Sequence, residues 1–308
     1  MMIGGWIMIG FEEIVPGIKL LRTPFGDYWS GVVLVCGRNA EDTVLIDSGA
    51  NREVVDDCIL PALEAEKIRP EQIGWLTCTH CHGDHVGGHY RIKELTGIRT
   101  AVYEGSADKI RNPLKYNKLI RSVFPEDSPE PAKVLLGVEP DRLMKEGELL
   151  AGRLRLIHTP GHDEDTVCWL DEKTNTLISG DSVQGSGAAG AGLAFYQDLN
   201  AYRGSLKRLA ALQAENLLAA HSYSPQGASA TGKEAVQDYL QTSMAVTERY
   251  DNYLSRWLTE TPGTDQRTLA RGLIREEGRP EPEYLFLERF TVRTHLEALK
   301  TKSEGGVS

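Results

Sequence analysis

The twelve residues from Thr77 to Gly88, TCTHCHGDHVGG, constrain this chain more than any other stretch. They hold three histidines, two cysteines and an aspartate directly after an apolar run. His80 and His82 are two residues apart at the end of a predicted strand, so their side chains point the same way. Asp84 and His85 follow, where we expect the chain to turn into a helix. Imidazoles and a carboxylate gathered at such a turn favour a divalent metal site with nitrogen and oxygen donors.

Three further residues of the same kinds follow apolar, β-like runs later in the chain. His162 comes after LRLIHTPG, Asp181 after TLISG and His221 after NLLAA. Because each of them follows a predicted strand, we expect all three to meet the first cluster along one edge of a sheet. Solvated histidines that cluster by chance would not repeat in this way. A metal centre is therefore the favoured interpretation.

These motifs resemble those of the metallo-β-lactamase-fold hydrolases. The matching stretches are LIDSG with Asp47, then THCHGDH, TPGH, SGD and the final His221, in order over roughly residues 12–225. The resemblance implies an α/β fold, a four-layer αββα sandwich, for residues 1–232. It also implies two divalent metal ions, the first held by His80, His82 and His162, the second by Asp84, His85 and His221, with Asp181 bridging them.

The activity that this resemblance implies is hydrolysis of an ester, thioester or lactone. A hydroxide that bridges the two metals would attack the carbonyl, and the metals would stabilise the developing oxyanion. Zinc is the first expectation for both ions, with iron or manganese as alternatives. Asp84 and Asp181 are the expected catalytic carboxylates. With only one metal bound, Asp84 would be free to act as a base.

Tyrosines near the ligand motifs are candidates for contact with the substrate. Tyr223, two residues past His221, is the expected catalytic tyrosine, and a packed tyrosine at the rim is the alternative. Tyr196 and Tyr202 are left open as further candidates. In lactone-cleaving relatives a tyrosine lies near the bridging aspartate, but Gln184 stands three residues after Asp181 here, so that feature does not carry over.

Two other activities remain as alternatives. A mononuclear iron persulfide dioxygenase uses two histidines and one aspartate, so the second set of metal ligands disfavours it. A metal-dependent ribonuclease is disfavoured by the net charge of −10, from 34 Lys and Arg against 44 Asp and Glu. We therefore expect a small-molecule substrate and no nucleic acid partner.

The remaining histidines and cysteines receive structural interpretations. His158 is expected in the core or behind the ligands, and His89 is expected to be structural or solvent-facing. His295 is assigned no chemistry. Cys78 and Cys81 form a CxxC, but Cys81 lies between two expected ligands, so we interpret both as small buried side chains. Asp47 is expected to orient the metal-binding histidines rather than to contact a metal.

The last quarter of the chain changes to charged helical segments, predicted at 233–258, 266–277 and 284–300. They resemble the small winged-helix-like domain that follows the sandwich in some family members. We therefore predict a mainly helical domain at 233–308, and a homodimer formed through it is one alternative. Two stretches are predicted as irregular, a surface excursion at 111–140 with five prolines and a flexible loop at 185–192.

The location of the protein is predicted from its cysteines and from its apolar segments. The five cysteines lack the dense spacing of a disulfide scaffold, which fits a reducing cytosol. The N-terminal MMIGGWIMIG has no basic residue and is too short to span a bilayer. We expect a cytoplasmic protein without membrane association.

Overall fold

The computed structural model describes residues 2–3, 6–7, 10–188 and 192–305. In this part of the chain, seven strands form one sheet in chain order: β3 (Glu12–Val15), β4 (Ile18–Phe25), β5 (Tyr28–Val35), β6 (Val44–Ile46), β7 (Trp75–Thr77), β8 (Arg99–Tyr103) and β9 (Arg142–Met144). A separate pair precedes them, β1 (Met2–Ile3) with β2 (Trp6–Ile7). The strands from β3 to β6 pair antiparallel, and those from β6 to β9 pair parallel.

A second sheet holds six strands among the described residues: β10 (Leu149–Leu150), β11 (Leu154–His158), β12 (Val167–Asp171), β13 (Thr176–Gly180), β14 (Asn216–Tyr223) and β15 (Gly227–Thr231). Strands β12 and β13 form the antiparallel hairpin that the sequence predicts. Strand β14 runs parallel to β13 after a helical crossover. It continues to Tyr223, so His221 lies within the strand and not after it as predicted.

The side chains of each strand alternate between two buried layers. In β6, Val44 and Ile46 lie in the core between the sheets, whereas Leu45 lies in the core under the outer helices. In β12, Trp169 packs between the sheets and Cys168 faces the helices on the other side. This alternation follows from the two-residue repeat of a strand. It explains why both sheets are apolar on both faces and why helices cover each outer face.

The helices of the first half lie on the outer face of the first sheet or at its edge. They are α1 (Arg52–Val54), α2 (Leu60–Ala65), α3 (Gly83–Val86), α4 (His89–Thr96), α5 (Ala107–Arg111) and α6 (Pro113–Arg121). A π-helical turn, Val55–Ile59, joins α1 to α2. The predicted helix at 51–66 therefore forms despite Pro61. Pro61 has no N–H to donate, and the wider π-helical turn just before it tolerates the missing hydrogen bond.

The helices of the second half cover the outer face of the second sheet. They are α7 (Leu199–Ala211), α8 (Lys233–Glu260), α9 (Gln266–Glu276) and α10 (Phe286–Gly305). The layers thus follow the order helix, sheet, sheet, helix, and the predicted four-layer αββα sandwich with a helical C-terminal region is confirmed.

The C-terminal helices share one hydrophobic core with the second sheet. Leu177 and Leu217 of that sheet pack in the same cluster as Tyr239 of α8 and Leu273 of α9. The division into domains at residues 232 and 233 stays a prediction. None of the described helices is long and apolar enough to cross a membrane.

Two stretches predicted as irregular have different outcomes. The stretch 111–140 was predicted as a surface excursion, but it contains α6, which packs against α3. Helix α3 belongs to the turn 79–85 that carries the first predicted ligands, which we term the ligand turn. Its amphipathic pattern spans only two turns, which is too short for the periodicity to stand out. Of the predicted flexible loop at 185–192, residues 189–191 lie outside the described residues. Gly185 is buried, and its N–H donates to Ser243 Oγ over 3.0 Å. The flexibility of the loop stays a prediction.

Candidate metal centre

The predicted ligands lie on loops and strands at one edge of both sheets. His80 and His82 follow β7, while Asp84 and His85 belong to the short helix α3. The loop after β11, the residue after β13 and the end of β14 supply the other three. The two halves approach closely at Gly180, where an added Cβ would come within 2.5 Å of Thr79 Cβ. A glycine before Asp181 therefore allows the second sheet to reach the first.

Three histidines form what we term the first metal group, His80, His82 and His162. Their ring nitrogens converge: His162 Nε2 lies 3.2 Å from His80 Nε2 and 3.1 Å from His82 Nδ1. His80 and His162 are fully or almost fully buried. The three potential ligand atoms lie within 4.8 Å of one another. The structure thus brings together all three residues predicted to hold the first ion.

The second metal group is Asp84, His85 and His221. Asp84 Oδ2 lies 3.2 Å from His85 Nε2 and 3.5 Å from His221 Nε2. Asp181 lies between the two groups, with its Oδ2 3.4 Å from His221 Nε2 and 3.5 Å from His162 Nε2. Asp181 therefore occupies the position expected of a bridging carboxylate.

Hydrogen bonds on the outer side of the rings fix which nitrogen carries the proton. His162 Nδ1 donates to Phe195 O over 2.9 Å, and His221 Nδ1 donates to Trp29 O over 2.6 Å. His85 Nδ1 donates to Asp47 Oδ2 over 2.9 Å. Because the proton sits on Nδ1 in each case, the Nε2 lone pair of each ring points into the site.

Asp47 accepts hydrogen bonds from the ligand turn, which agrees with the orienting role predicted from the sequence. It accepts from Thr79 N over 2.7 Å and from Thr79 Oγ1 over 2.9 Å, in addition to the bond from His85. Asp47 has a φ of 63°, which few residues other than glycine adopt and which aspartate tolerates better than most. Its carboxylate therefore orients a metal-facing histidine and does not belong to either metal group.

Burial and neighbouring charges shift the pKa values of the ligands in opposite directions. Burial lowers the pKa of His162 to about 4, although Asp181 acts against that shift. Burial also lowers the pKa of the His80 imidazole, and the neighbouring imidazoles add to this. Burial opposes ionisation of Asp181, but His221 and His85 hold the pKa of this carboxyl well below its usual range. Neutral imidazoles and ionised carboxylates are the forms that bind metals.

The donor set fits divalent metal ions. Among the described residues, His85 Nε2 and Asp181 Oδ1 are buried side-chain atoms without a hydrogen-bond partner. Buried polar atoms without partners are rare, since each forfeits its interaction with water. Convergent imidazole nitrogens and carboxylate oxygens at these separations suit a zinc-like or iron-like ion. A cation would satisfy both orphaned atoms at once.

A buried carboxylate that the sequence analysis missed stands behind His82. Asp163 Oδ2 lies 3.4 Å from His82 Nε2, and Lys109 Nζ donates to Asp163 Oδ1 over 2.7 Å. The hydroxyl of Tyr116 also donates to Asp163, and its ring stacks on His82 with centroids 6.0 Å apart. Asp163 directly follows the TPGH motif, but Lys109 and Tyr116 come from a stretch without any recognisable pattern.

Two more residues at the site were not predicted. Tyr28, at the start of β5, packs edge-on to His221 with ring centroids 5.4 Å apart. Burial raises the pKa of Tyr28 well above its ordinary value, and Asp84 and Asp181 raise it further. Arg121 is half-buried at the end of α6, where the charge of Asp84 influences its pKa. No motif marked these residues, because their approach depends on how β5 and α6 pack against α3.

The three candidate tyrosines have different surroundings. The ring of Tyr223 lies edge-on to His221 at 5.7 Å, and Asp181 adds to the effect of burial in raising the pKa of Tyr223. Tyr196 is fully buried and its hydroxyl bonds to His295 Nε2 at 2.7 Å, while Tyr202 stacks on Tyr196. Only Tyr223 of the three lies beside the metal groups.

The residues interpreted as structural contact other parts of the fold. His89 is fully buried beside Ser48 Oγ at 2.7 Å, so its solvent-facing alternative is wrong. His158 is half-buried and stacks on Tyr103 at 4.6 Å, away from the ligands. Cys78 and Cys81 are free and buried, as interpreted.

The fold and the site together define a sheet sandwich that carries metal-binding groups at one edge. Residues 29–221 match the family model described as the Metallo-beta-lactamase superfamily. This chain belongs to that superfamily.

Comparison with known proteins finds relatives that match part of this chain. The chain is 30% identical to the lactamase-like protein nscB of Arthroderma benhamiae, over 55% of this chain and 31% of that protein. It is 26% identical to the atrochrysone carboxyl ACP thioesterase AgnL7 of Paecilomyces divaricatus, over 58% of this chain and 52% of that protein. The chain thus spans only about a third to a half of these two relatives.

Solved structures show the same fold. A metallo-beta-lactamase family protein from Thermus thermophilus superposes with a TM-score of 0.69 at 22% sequence identity, covering 94% of this chain and 95% of that one. At this identity the similarity establishes the fold alone. It extends over the C-terminal helices as well as the sandwich.

Proposed function

We propose that this protein is a binuclear metal-dependent hydrolase that cleaves an ester, thioester or lactone. The observation that carries the proposal is the pair of metal groups with Asp181 between them. One group would hold each ion, and Asp181 would contact both. Membership of the superfamily and the histidine and aspartate donors support a hydrolase in general terms.

Divalent cations bound there would lower the pKa of a water molecule and polarise the carbonyl of the substrate. The chain's own residues prepare the site for this chemistry. The outer hydrogen bonds hold the imidazoles in the tautomer whose lone pair faces inward. Because the pKa of Tyr223 is raised by burial, its phenol keeps the proton and can donate a hydrogen bond toward an oxygen at Asp181.

A thioester is the first substrate class to test. One relative is named as an acyl carrier protein thioesterase, and it aligns with 58% of this chain. A thioester carbonyl needs the same attack as an ester or a lactone and only differs in its leaving group. The proposal therefore ranks thioesters first within a common mechanism.

The two alternative activities fit the site less well. A mononuclear iron dioxygenase would not need Asp84, His85 and His221 as metal ligands. The potential ligand atoms of these three nevertheless lie within 4.8 Å of one another. A ribonuclease must bind the negatively charged phosphates of RNA, which the overall charge of −10 on this chain disfavours. We propose zinc as the metal. We also propose a reducing compartment such as the cytosol, because all five cysteines are free. A homodimer remains an untested proposal.

The test combines metal analysis with the variant His82→Ala. Purified protein is expected to contain close to two equivalents of transition metal, and to hydrolyse simple thioesters, esters or lactones. Removing one histidine from the first metal group should reduce the metal content. It should also reduce kcat/KM by roughly 100-fold or more. His158→Ala is the matched control, because His158 lies away from both groups. Metal-free protein, or a His82→Ala variant with full esterase activity, would disprove the proposal.

A further inference from the structure

The helix α6 places an arginine beside the second metal group. Asn117 lies against the ligand turn, since its Nδ2 is 3.7 Å from the position of a Cβ added to Gly83. Arg121 is one helical turn further on and therefore lies on the same face of α6. Asp84 and Tyr28 both influence the pKa of Arg121. The face of α6 that carries Arg121 thus packs against α3, the helix that holds Asp84 and His85.

This guanidinium has no anionic partner among the described residues. Arg121 Nη1 donates to the helix carbonyl of Asn117 over 3.1 Å, and its Nε is buried without any partner. Phe286 of α10 packs against the charge, with the guanidinium carbon 5.6 Å from the ring centroid. Other arginines of this region are paired. Arg111 donates two bonds of 2.8 Å to Glu139, and Arg289 pairs with Asp127 at 2.6 Å.

Asp84 does not act as the missing partner. Its carboxylate faces His85 and His221, at 3.2 and 3.5 Å. Burial lowers the pKa of Arg121. The charges of Asp84 and Tyr28 act in the opposite direction but do not restore the ordinary pKa. A partly desolvated cation without an anion is unfavourable in a fold unless a ligand completes the pair. The free N–H groups of Arg121 therefore indicate an anion that comes with the substrate.

We propose that Arg121 binds a carboxylate carried by the substrate, so that the enzyme acts on acyl compounds with a second, anionic group. This inference rests on the proposed function. A guanidinium presents two parallel N–H donors that match a carboxylate, and a single arginine suits one negative charge better than a doubly charged phosphate. Tyr28 packs edge-on to His221 with ring centroids 5.4 Å apart, and the charges of Asp84 and Arg121 both act on its pKa. A substrate bound here would present its carbonyl to the metal groups and its carboxylate to Arg121.

The experiment compares two N-acetylcysteamine thioesters of equal acyl length, glutaryl and pentanoyl. Only the glutaryl compound has a terminal carboxylate. The measured quantity is the ratio of kcat/KM for glutaryl over pentanoyl. In Arg121→Met the ratio is expected to fall roughly 10- to 100-fold, the effect of losing one charge-assisted bidentate contact. Arg121→Lys keeps the charge and should retain more of the ratio than Arg121→Met. Arg111→Met is the matched control and should keep the wild-type ratio.

A binding measurement separates this proposal from the proposed function. Calorimetric titration with glutarate and with butyrate is carried out on wild type and Arg121→Met of equal, measured metal content. Wild type should bind glutarate more tightly than butyrate, and Arg121→Met should lose that preference. If wild type hydrolyses neither thioester, the thioester assignment within the proposed function fails, but the glutarate preference still tests Arg121. An unchanged preference or an unchanged kcat/KM ratio in Arg121→Met overturns the assignment.

Discussion

At the scale of single residues, each metal group depends on a buried carboxylate that does not itself face the metals. Asp163 stands behind His82 in the first group, and Asp47 stands behind His85 in the second. Asp163 is in turn fixed by Lys109, which also bonds to Asp165 over 3.0 Å. Burial opposes ionisation of Asp163, but His82 and Lys109 keep the pKa of its carboxyl far below the usual value. Such carboxylates orient a ligand ring and increase its basicity.

The two carboxylates should therefore control different metal sites. Asp163→Asn is expected to weaken metal binding at the first group roughly 10- to 100-fold, because His82 loses the charge that orients its ring. Asp47→Asn should weaken the second group by a similar factor, because His85 loses its acceptor. Competition titration with a chromophoric chelator, which resolves a tight and a weak site, measures both effects.

The matched control for Asp163→Asn is Glu164→Gln. Glu164 is the next residue and lies 3.4 Å from Lys109, but its side chain is 82% exposed. This variant should leave both affinities unchanged. Equal weakening of both sites in Asp163→Asn would mean that Asp163 supports the fold of the whole edge and not the ring of His82.

The convergence of the candidate ligands could be predicted from the sequence, whereas the residues around them could not. Histidines and aspartates after apolar runs can be recognised in the sequence, and strands that run in the same direction, such as β11, β13 and β14, end at the same edge of a sheet. Arg121 and Tyr28 carry no such signal, because their position depends on the packing of helix on helix and strand on helix. His89 shows the same limit, because nothing in its local pattern distinguishes a buried histidine bonded to Ser48 from an exposed one.

At the scale of elements, α10 holds the segment that forms one wall of the site. Thr291 Oγ1 donates to Ala194 O, and Leu199 N donates to Thr294 Oγ1, each over 2.9 Å. His295 lies between Tyr196 and Asp251, with 2.7 Å to each. The segment after residue 192 includes Phe195, whose carbonyl accepts from the ligand His162. The C-terminal helix therefore positions a candidate metal ligand indirectly, a role that the sequence analysis did not assign to His295.

The same helix carries a buried acid that destabilises the fold at neutral pH. Glu288 is 3% exposed and its Oε2 has no partner. Burial raises the pKa of Glu288 to about 7. Because the folded-state pKa lies above the unfolded value, the folded protein binds more protons between pH 4.5 and 7 than the unfolded chain does. The free energy of unfolding therefore falls as the pH rises through this window.

Replacing this acid by its neutral isostere should remove the loss. Glu288→Gln is expected to unfold with a free energy up to about 3 kcal/mol higher than wild type at pH 8, and with no difference near pH 4. Urea denaturation at both pH values measures this. Glu297→Gln, on the exposed side of α10, is the control and should show no pH-dependent gain. A Glu288→Gln variant that gains nothing at pH 8 would mean that the carboxylate is solvated or paired.

At the scale of the whole molecule, the sandwich was predictable because its cause is periodic. Alternating burial in β6 and β12 places one face of each strand between the sheets, and the sequence shows this as short apolar runs. The arrangement of the C-terminal helices depends on contacts distant in sequence. Leu217 and Leu273 pack in one cluster although β15 and the long helix α8 lie between them in the chain. A separate domain after residue 232 therefore stays a prediction that the shared core does not support by itself.

The two candidate metal groups draw their residues from both sheets, and this gives a prediction for the entire fold. Ligands of the first half of the chain follow β7, whereas His162, Asp181 and His221 come from the second sheet. A bound cation would therefore link both halves of the sandwich in the folded state only, and metal binding should stabilise the whole protein.

Stripping the metal with a chelator should lower the Tm of the wild-type protein, and returning zinc should restore it. Each site adds about 2.7 kcal/mol when free metal exceeds its Kd 100-fold, so the Tm should rise steadily with free zinc concentration. Differential scanning calorimetry at buffered zinc concentrations measures this dependence. His221→Ala should flatten the dependence by removing one site, and His158→Ala should leave it as in wild type. A wild-type Tm that is independent of free zinc would mean that the two halves are held together by packing alone, and that the converging nitrogens and oxygens are not a metal site.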